Sequence, residues 1–376
     1  MPAVAHPSST AEVAEVMRGA AAERLTVVAR GRGTKQSWGL PPTSADLVVD
    51  LSGMDRVLDH QAGDLIVDTQ AGARLSEVQA AVGAAGQRLA LDEIVPGASI
   101  GGTLATNASG PQRMLAGSAR DLLIGVTVVR ADGVVAKAGG RVVKNVAGYD
   151  LGKLVIGSYG TLAVVTEAVF RLHPLPEVRR WVSVEVGEPM QAHALAQVVT
   201  HSQAAPWALE VDWPASGPGS LAVLLGGRAA GVEDRAGTVV RLLGSAATVA
   251  DEPPPAWGTY PWGDGETALK LTFAISGLRD VLRVAREVGA GVRGSAGTGV
   301  VYGVVADADG VLTALERLRE TCARHGGAVV VVDAPDEVKR SVDVWGPVPG
   351  LELMRRVKDQ FDPDRRLAPG RFVGGI

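Results

Sequence analysis

The chain has 376 residues, 46% of them apolar and 21% charged, with a formal net charge of −4. That profile fits a soluble globular protein with room for two domains, and its negative balance argues against a general nucleic-acid binder. A single cysteine, Cys322, excludes both a disulfide framework and an iron–sulfur cluster ligated by this chain alone. The N-terminal stretch lacks a basic start with a continuous apolar core, so no signal peptide is expected. No run approaches the roughly 18 apolar residues of a membrane span.

In chain order, residues 8–22 read as a helix capped by Ser8, Ser9 or Thr10, with Val13, Val16, Met17 and Ala20 on one face. Residues 25–29 form a short buried strand that runs into a Gly-rich loop, 30–36. Residues 47–51 and 65–69 are strands, and 74–85 a helix ended by Gly86. Residues 122–130 and 134–138 make a hairpin about Asp132-Gly133, followed by a short helix at 150–156 and a strand at 162–172. The connector His173-Pro174-Leu175-Pro176 is stiff and lacks two backbone donors, which places a domain boundary there. Beyond it, strands at 181–186, 207–211, 221–225, 268–275, 300–305 and 328–332 alternate with helices at 190–200, 232–243, 278–288 and 311–324. These two similar passes predict a mostly antiparallel sheet with helices on one face, in a ferredoxin-like layout. The tail, 351–372, reads as a helix and then an extended Pro/Gly segment.

Three Gly-rich segments in the N-terminal half suggest a main chain that closes around a phosphate-bearing ligand. The first, RGRGTKQ, is not a dinucleotide fingerprint, because Gln36 stands where a third glycine is needed and no good helix follows. Its amides, with the Thr34 and Gln36 side chains, suit an anion nest; an ordinary surface turn is the alternative. The only Gly-Lys pair, Gly152-Lys153, is followed by Leu154, so it is not a phosphate loop of the Walker type either. The second segment, PGASIGGTLATNASG at 96–110, has Ser99 as a cap and Gly101 and Gly102 baring the first amides of a helix, against the alternative of a small-residue helix packed on a neighbour. The third, KNVAGYDLGKLVIGSYGTLAVVT at 144–166, leads into a β-branched strand. Ser118, Arg120 and Asp121 stand just before another strand, as ligand contacts or as a strand-capping ion pair.

Taken together and in this order, RGRGT, the strand and loop at 50–72, PGASIGGTLATNASG, GSARDLLIG, KNVAGYDLGKLVIGSYGTLAVVTEA and FDPDRRLAPGR resemble the FAD-binding superfamily of vanillyl-alcohol oxidase and p-cresol methylhydroxylase (PCMH). Within it, KNVAGYDLGKLVIGSYGTL and the short second domain are most similar to the smaller FAD-binding subunits of bacterial glycolate oxidase (glycolate dehydrogenase). The resemblance implies an α+β chain: a PCMH-type FAD-binding domain of two α/β subdomains at 1–176, a ferredoxin-like cap at 177–335, and a C-terminal segment, 336–376, packing back on the first domain. It further implies that Arg30, Gly31, Arg32, Gly33, Thr34, Lys35 and Gln36 are the first pyrophosphate loop. The second, under the flavin edge, would be Pro96, Gly97, Ala98, Ser99, Ile100, Gly101 and Gly102. Thr103, Asn107, Ser109 and Gly110 would continue along the cofactor, and Ser118 and Asp121 would line its ribityl region. Val165 would meet adenine through its backbone, and Arg371 or its neighbours would return to the isoalloxazine. The first loop has no His or Cys to bond covalently to the flavin, so FAD is expected to be held non-covalently. Ala368 stands where the family usually has Asn before Pro-Gly-Arg, which would remove one polar contact.

For chemistry on a 2-hydroxy acid, the chain needs a base for the hydroxyl proton and a cation for the carboxylate. Lys270, Tyr260 and Arg371 are weak candidates; a lysine in a strand is more often at a solvated edge. Trp262 and Trp345 could add aromatic walls. His193 and His201 lack an accompanying Glu-His pair and read as surface residues, so no metal site is expected. The partners implied are a larger FAD-binding glycolate oxidase subunit and an iron–sulfur subunit. The implied location is cytoplasmic, with peripheral attachment to the inner face of the membrane through partners as an option. Two rival readings stay open: a stand-alone FAD-dependent alcohol or hydroxy-acid oxidoreductase, and a flavin-containing scaffold that never turns over.

Overall fold

The computed structural model describes residues 1–141, 150–307 and 309–376. The chain divides into two compact units. One comprises Met1–Ser109, Ala116–Leu175 and Val348–Ile376; the other comprises Gly110–Leu115 and Pro176–Pro347.

The first unit holds two main sheets, each with its own apolar core. Strands Ala3–Ala5 and Val27–Arg30 pair in parallel with either side of Leu47–Asp50. Helix Thr10–Ala22 covers this sheet, burying Val13, Ala14, Met17 and Ala20. Its N-cap is Ser9, whose hydroxyl accepts from the Glu12 amide at 3.2 Å. The second sheet is antiparallel, in the order Val57–Gln61, Ile66–Gln70, Val164–Arg171, Leu123–Val129, Val135–Gly139. Helices Leu75–Gly83 and Ile100–Thr106 pack their apolar faces into its core with Phe170, Leu122 and Leu172. These two layers are the two α/β subdomains.

The C-terminal helix Leu351–Phe361 and the segment after it belong to this unit. The segment extends the parallel sheet at its Val27 edge: the Val27 amide donates to the Arg366 carbonyl, and the Ala368 amide to the Val27 carbonyl, both at 2.8 Å. Ala368 has a φ of 41°, in the left-handed region that Asn tolerates better than Ala. The usual Asn at this position therefore has a backbone reason apart from any polar contact. A fully buried ion pair holds the tail. The Lys358 ammonium reaches Asp362 at 2.8 Å and also donates to the carbonyls of Thr161 and Leu367, while Asp362 accepts from the amides of Arg366 and Leu367.

The second unit is an eight-stranded antiparallel sheet made of two βαββαβ passes. The first pass supplies Val178–Val186, Ala208–Trp213, Gly219–Gly227 and Thr248–Ala250; the second supplies Thr267–Thr272, Gly291–Ser295, Val300–Val305 and Ala328–Asp333. Across the sheet the first pass runs fourth, first, third, second, and the second pass mirrors it, so the two join where Ala208–Trp213 pairs with Gly291–Ser295. Helices Ala229–Leu243, Pro189–Thr200, Leu278–Glu287 and Val311–Arg324 pack side by side as one layer. The ferredoxin-like pass therefore occurs twice.

The C-terminal segment read from 336 enters the first unit only at Val348. Residues before it stay with the second unit because the Lys339 ammonium pairs with Asp333 at 2.8 Å and the Val331 amide donates to the Val344 carbonyl.

Replacing Lys358 with Met would leave the Asp362 carboxylate buried without its counterion. The expected loss is about 3–5 kcal/mol, read as a lower midpoint of chemical denaturation.

Candidate functional site

A cleft opens in the first unit, walled by residues of 29–36, 99–106, 155–165 and Arg371. Its floor includes Ala29, Leu51, Ala71 and Ala163, small or apolar side chains at the ends of the buried strands. One wall is the loop after strand Val27–Arg30. Among the described residues, no acceptor of the chain meets the backbone N–H groups of Gly31, Arg32, Gly33, Thr34 and Lys35. Gly33 has a φ of 77°, so the loop turns through the left-handed region that makes successive amides converge. Five consecutive amides left to solvent or a ligand are a donor array suited to a diphosphate.

The opposite wall behaves differently from the sequence expectation. Gly101 and Gly102 do not bare the first amides of helix Ile100–Thr106. The Ile100 amide donates to the Ala73 carbonyl at 2.9 Å, Gly101 to Ala71 at 2.7 Å, Gly102 to the Ser99 hydroxyl at 3.2 Å, and Thr103 to the Ser99 carbonyl at 2.9 Å. These donors are consumed within the chain, so the second loop supplies space and shape. Gly101 lies against Ala71, whose Cβ is 3.0 Å from where a glycine replacement's Cβ would sit. A Cβ on Gly102 would meet the Ser99 hydroxyl at 3.1 Å and the Lys35 Cε at 3.9 Å, inside the cleft. The two loops touch: a Cβ on Gly31 would stand 2.2 Å from the Ser99 hydroxyl oxygen.

Two cations are buried in this cleft. Lys35 is 5% exposed, and among the described residues its ammonium has Thr34 Oγ1 as a single hydrogen-bond partner, at 3.3 Å. Burial pushes its pKa down to about 8, and the charge of Glu93 offsets part of that. Arg371 is also 5% exposed and donates to the carbonyls of Lys35 and Gln36 at 3.1 and 3.0 Å, while its Nε has no partner among the described residues. Burial lowers its pKa as well. Neither cation is in an ion pair with a carboxylate among the described residues. Two buried positive groups and five open amides fit the dianionic diphosphate of FAD.

The other expected contacts divide. Thr34, Gln36, Ser99, Gly101, Gly102, Val165 and Arg371 line the cleft with Lys35, Gly31 and Gly33. Arg30 and Arg32 are spent elsewhere, the first on Asp50 at 2.7 Å and the second on Asp55 and the Gly72 carbonyl. Pro96, Gly97, Ala98, Ile100, Thr103, Asn107 and Ser109 do not line it. Gly97 turns the chain with a φ of 74°; Ala98, Ile100, Thr103 and Ser109 are buried. Asn107 ends its helix with a φ of 48°. Ser118 and Asp121 form a reciprocal capping box on helix Ala119–Leu122, a structural duty. Gly110 lies in the second unit. Lys144 to Tyr149 fall outside the described residues. Ser158, Tyr159 and Gly160, which belong to the third Gly-rich segment but were not among the expected cofactor contacts, line the cleft. Tyr159 stacks on Phe372 at 5.5 Å, and its amide is tied to the Ala105 carbonyl. The signal for these three was present in GSYGTL, whose glycines mark close backbone approach.

In the second unit, Lys270 lies in an interior strand between Tyr302 and Val330, so it is not at a sheet edge. Tyr260 stacks on Trp262 at 4.3 Å and meets Tyr302 edge-on at 4.5 Å, and Arg293 pairs with Asp212 beside them. Trp345 is buried. Among the described residues, no cluster of three His, Cys, Asp or Glu is placed to hold a metal ion, and no helix is long and apolar enough to cross a membrane.

Gly31→Ala is expected to cost about 1–3 kcal/mol, because its Cβ collides with Ser99. Ser99→Ala alone should cost about 0.5–2 kcal/mol by removing the cap on Gly102. In a double-mutant cycle the second change should cost less in the Gly31→Ala background, since it removes the colliding hydroxyl. Denaturant midpoints of the four proteins measure this coupling.

Residues 1–139 match the FAD binding domain family. The chain is 35% identical over 179 residues to glycolate oxidase subunit GlcD of Bacillus subtilis (strain 168), which covers 47% of this chain and 38% of that protein. It is 40% identical over 112 residues to glycolate oxidase subunit GlcE of Escherichia coli (strain K12), covering 28% and 32% respectively. The matched stretches thus span well under half of these relatives' own lengths. Among solved structures, an alkyldihydroxyacetonephosphate synthase superposes with a TM-score of 0.72 at 16% identity, covering 98% of this chain and 76% of that one, a likeness of fold alone. The chain therefore carries an FAD binding domain on a PCMH-type fold, and FAD is its cofactor.

Proposed function

We propose that this chain is the FAD-binding subunit of a multi-subunit dehydrogenase for glycolate or a related small 2-hydroxy acid, working on the cytoplasmic side with a larger flavin subunit and an iron–sulfur subunit. The observation that carries the cofactor part is the pair of buried cations, Lys35 and Arg371, beside five open amides. In this reading FAD is held non-covalently, with its diphosphate against 31–35. Gly102 keeps the opposite wall clear, and Val165 and Tyr159 bound the cleft. The likeness to two proteins named as glycolate oxidase subunits supports the substrate class and the complex.

FAD, when bound, supplies the acceptor for the hydride that leaves the hydroxyl-bearing carbon. What this chain adds is placement of the cofactor and exclusion of water from the cleft. Arg371 acts as a clasp here: Nη2 of its guanidinium donates to loop carbonyls, which holds the tail to the first loop. Lys270 and Tyr260 are the chain's own candidates for contact with a carboxylate substrate. Electrons would leave through a partner, because the single thiol, Cys322, is buried and its pKa is pushed up to about 12.

The purified full chain should show flavin absorbance. Gly102→Val should be colourless with an unchanged far-ultraviolet circular dichroism spectrum, and a yellow Gly102→Val protein would refute the placement of the second loop. Co-purification from cells should bring down a larger flavoprotein and an iron–sulfur protein. A chain that stays monomeric beside those partners and bleaches its flavin with glycolate unaided would contradict the subunit reading and favour a stand-alone oxidoreductase.

A further inference from the structure

Lys35 is an unusual lysine for a loop. Its side chain is turned inward and 5% exposed, where a lysine is rarely left without a carboxylate. Among the described residues the ammonium has one hydrogen-bond partner, the neutral Thr34 Oγ1 at 3.3 Å, and Nζ lies 4.0 Å from a Cβ built on Gly102. The groups that act on it come from three elements. Glu93, in the segment before the second loop, favours its charge. Arg371, from the tail, brings a second buried cation that donates to Lys35's own carbonyl. The first loop and the 99–102 segment add no carboxylate: Arg30 and Arg32 are its other charged side chains, and both are paired elsewhere.

Resting on the reading that FAD occupies this cleft, we infer that Lys35 is a proton-linked anchor for the diphosphate: it is charged when the anion is bound and gives up its proton readily when it is not, so that the chain takes up a proton with FAD in alkaline solution. The geometry supplies the reason. In the cleft without an anion, the ammonium is desolvated, which disfavours its charge, and Glu93 offsets only part of that. A diphosphate lying against amides 31–35 would stand next to it and favour that charge. The low pKa of about 8 puts the consequence within an accessible range. Below that pH the lysine is already charged and affinity is at its plateau. Above it, each unit of pH costs about tenfold in affinity until the pKa of the bound form is reached, since the ligand must then pay for protonation.

The test is FAD binding to the full apo-chain by flavin fluorescence between pH 6.5 and 9.5, for the natural protein, Lys35→Arg and Lys35→Gln. The natural chain should lose affinity above about pH 8 by close to tenfold per unit. Lys35→Arg, always charged, should bind with no such slope, which also controls for ionisation of the flavin itself. Lys35→Gln should be weaker at neutral pH and free of the slope. Calorimetry at pH 9 in two buffers of different ionisation enthalpy should show uptake approaching one proton by the natural chain and none by Lys35→Arg. A flat profile for the natural chain, or the same slope in Lys35→Arg, overturns the inference while leaving the cofactor site intact. Failure of every variant to bind FAD at any pH sinks the site itself, and the inference with it.

Discussion

The close approach of Gly31 to Ser99 is the constraint on which this site rests. It brings together the end of a parallel-sheet strand and the start of a helix in the other subdomain, with no room for even a methyl group between them. The Ser99 hydroxyl that occupies that space also caps the Gly102 amide, so one oxygen fixes both the loop contact and the helix entrance. Around this contact other glycines have similar duties. Gly72, for example, lies where a Cβ would be 1.9 Å from the Leu51 carbonyl oxygen. Glycine here is needed for close backbone approach, and the cleft is the space left over once those approaches are made.

Hydrogen-bond accounting then assigns different work to the two walls. A buried amide needs an acceptor. On the 99–103 wall the acceptors are Ala71, Ala73 and Ser99, so the wall is closed to outside partners. On the 31–35 wall no such acceptors exist among the described residues, and two cations without carboxylates stand nearby. A site that is short of negative charge and rich in donors binds a polyanion because the anion completes its bonding, with desolvation already suffered by the protein groups. The tail closes the arrangement from a third direction. The buried Lys358–Asp362 pair holds the backbone of Arg366 and Leu367, the residues that lie beside Val27, and Arg371 a few residues on meets the carbonyls of the first loop.

The sequence reading did well where local pattern and burial agree. Helix Thr10–Ala22, with Ser9 as cap, and helix Val311–Arg324 follow directly from apolar spacing. Strand Gly291–Ser295 did not, because its valine and arginine are set among glycines and carry no alternation. It is a strand because neighbours pair with it on both sides. Strand Ala3–Ala5 is likewise three residues made regular by a single parallel partner. The mirrored second pass was visible as repeated alternation of strand and helix, but its join to the first runs through that unrecognised strand.

By itself the sequence pointed to a phosphate-bearing ligand, to the two similar passes of the second unit and to the Gly-rich loops, because each is written in local spacing of glycines, caps and apolar residues; FAD came from the resemblance those loops carry in their order. The tertiary structure decided which atoms do the work. It turned Gly101 and Gly102 from donors into clearance, sent Arg30 and Arg32 to carboxylates outside the cleft, reduced Ser118 and Asp121 to a helix cap, and buried Lys35. Those outcomes depend on which acceptor or carboxylate lies within about 3 Å in space, and residues such as Ala71 and Asp50 reach that distance only through the packing of strands far apart in the chain.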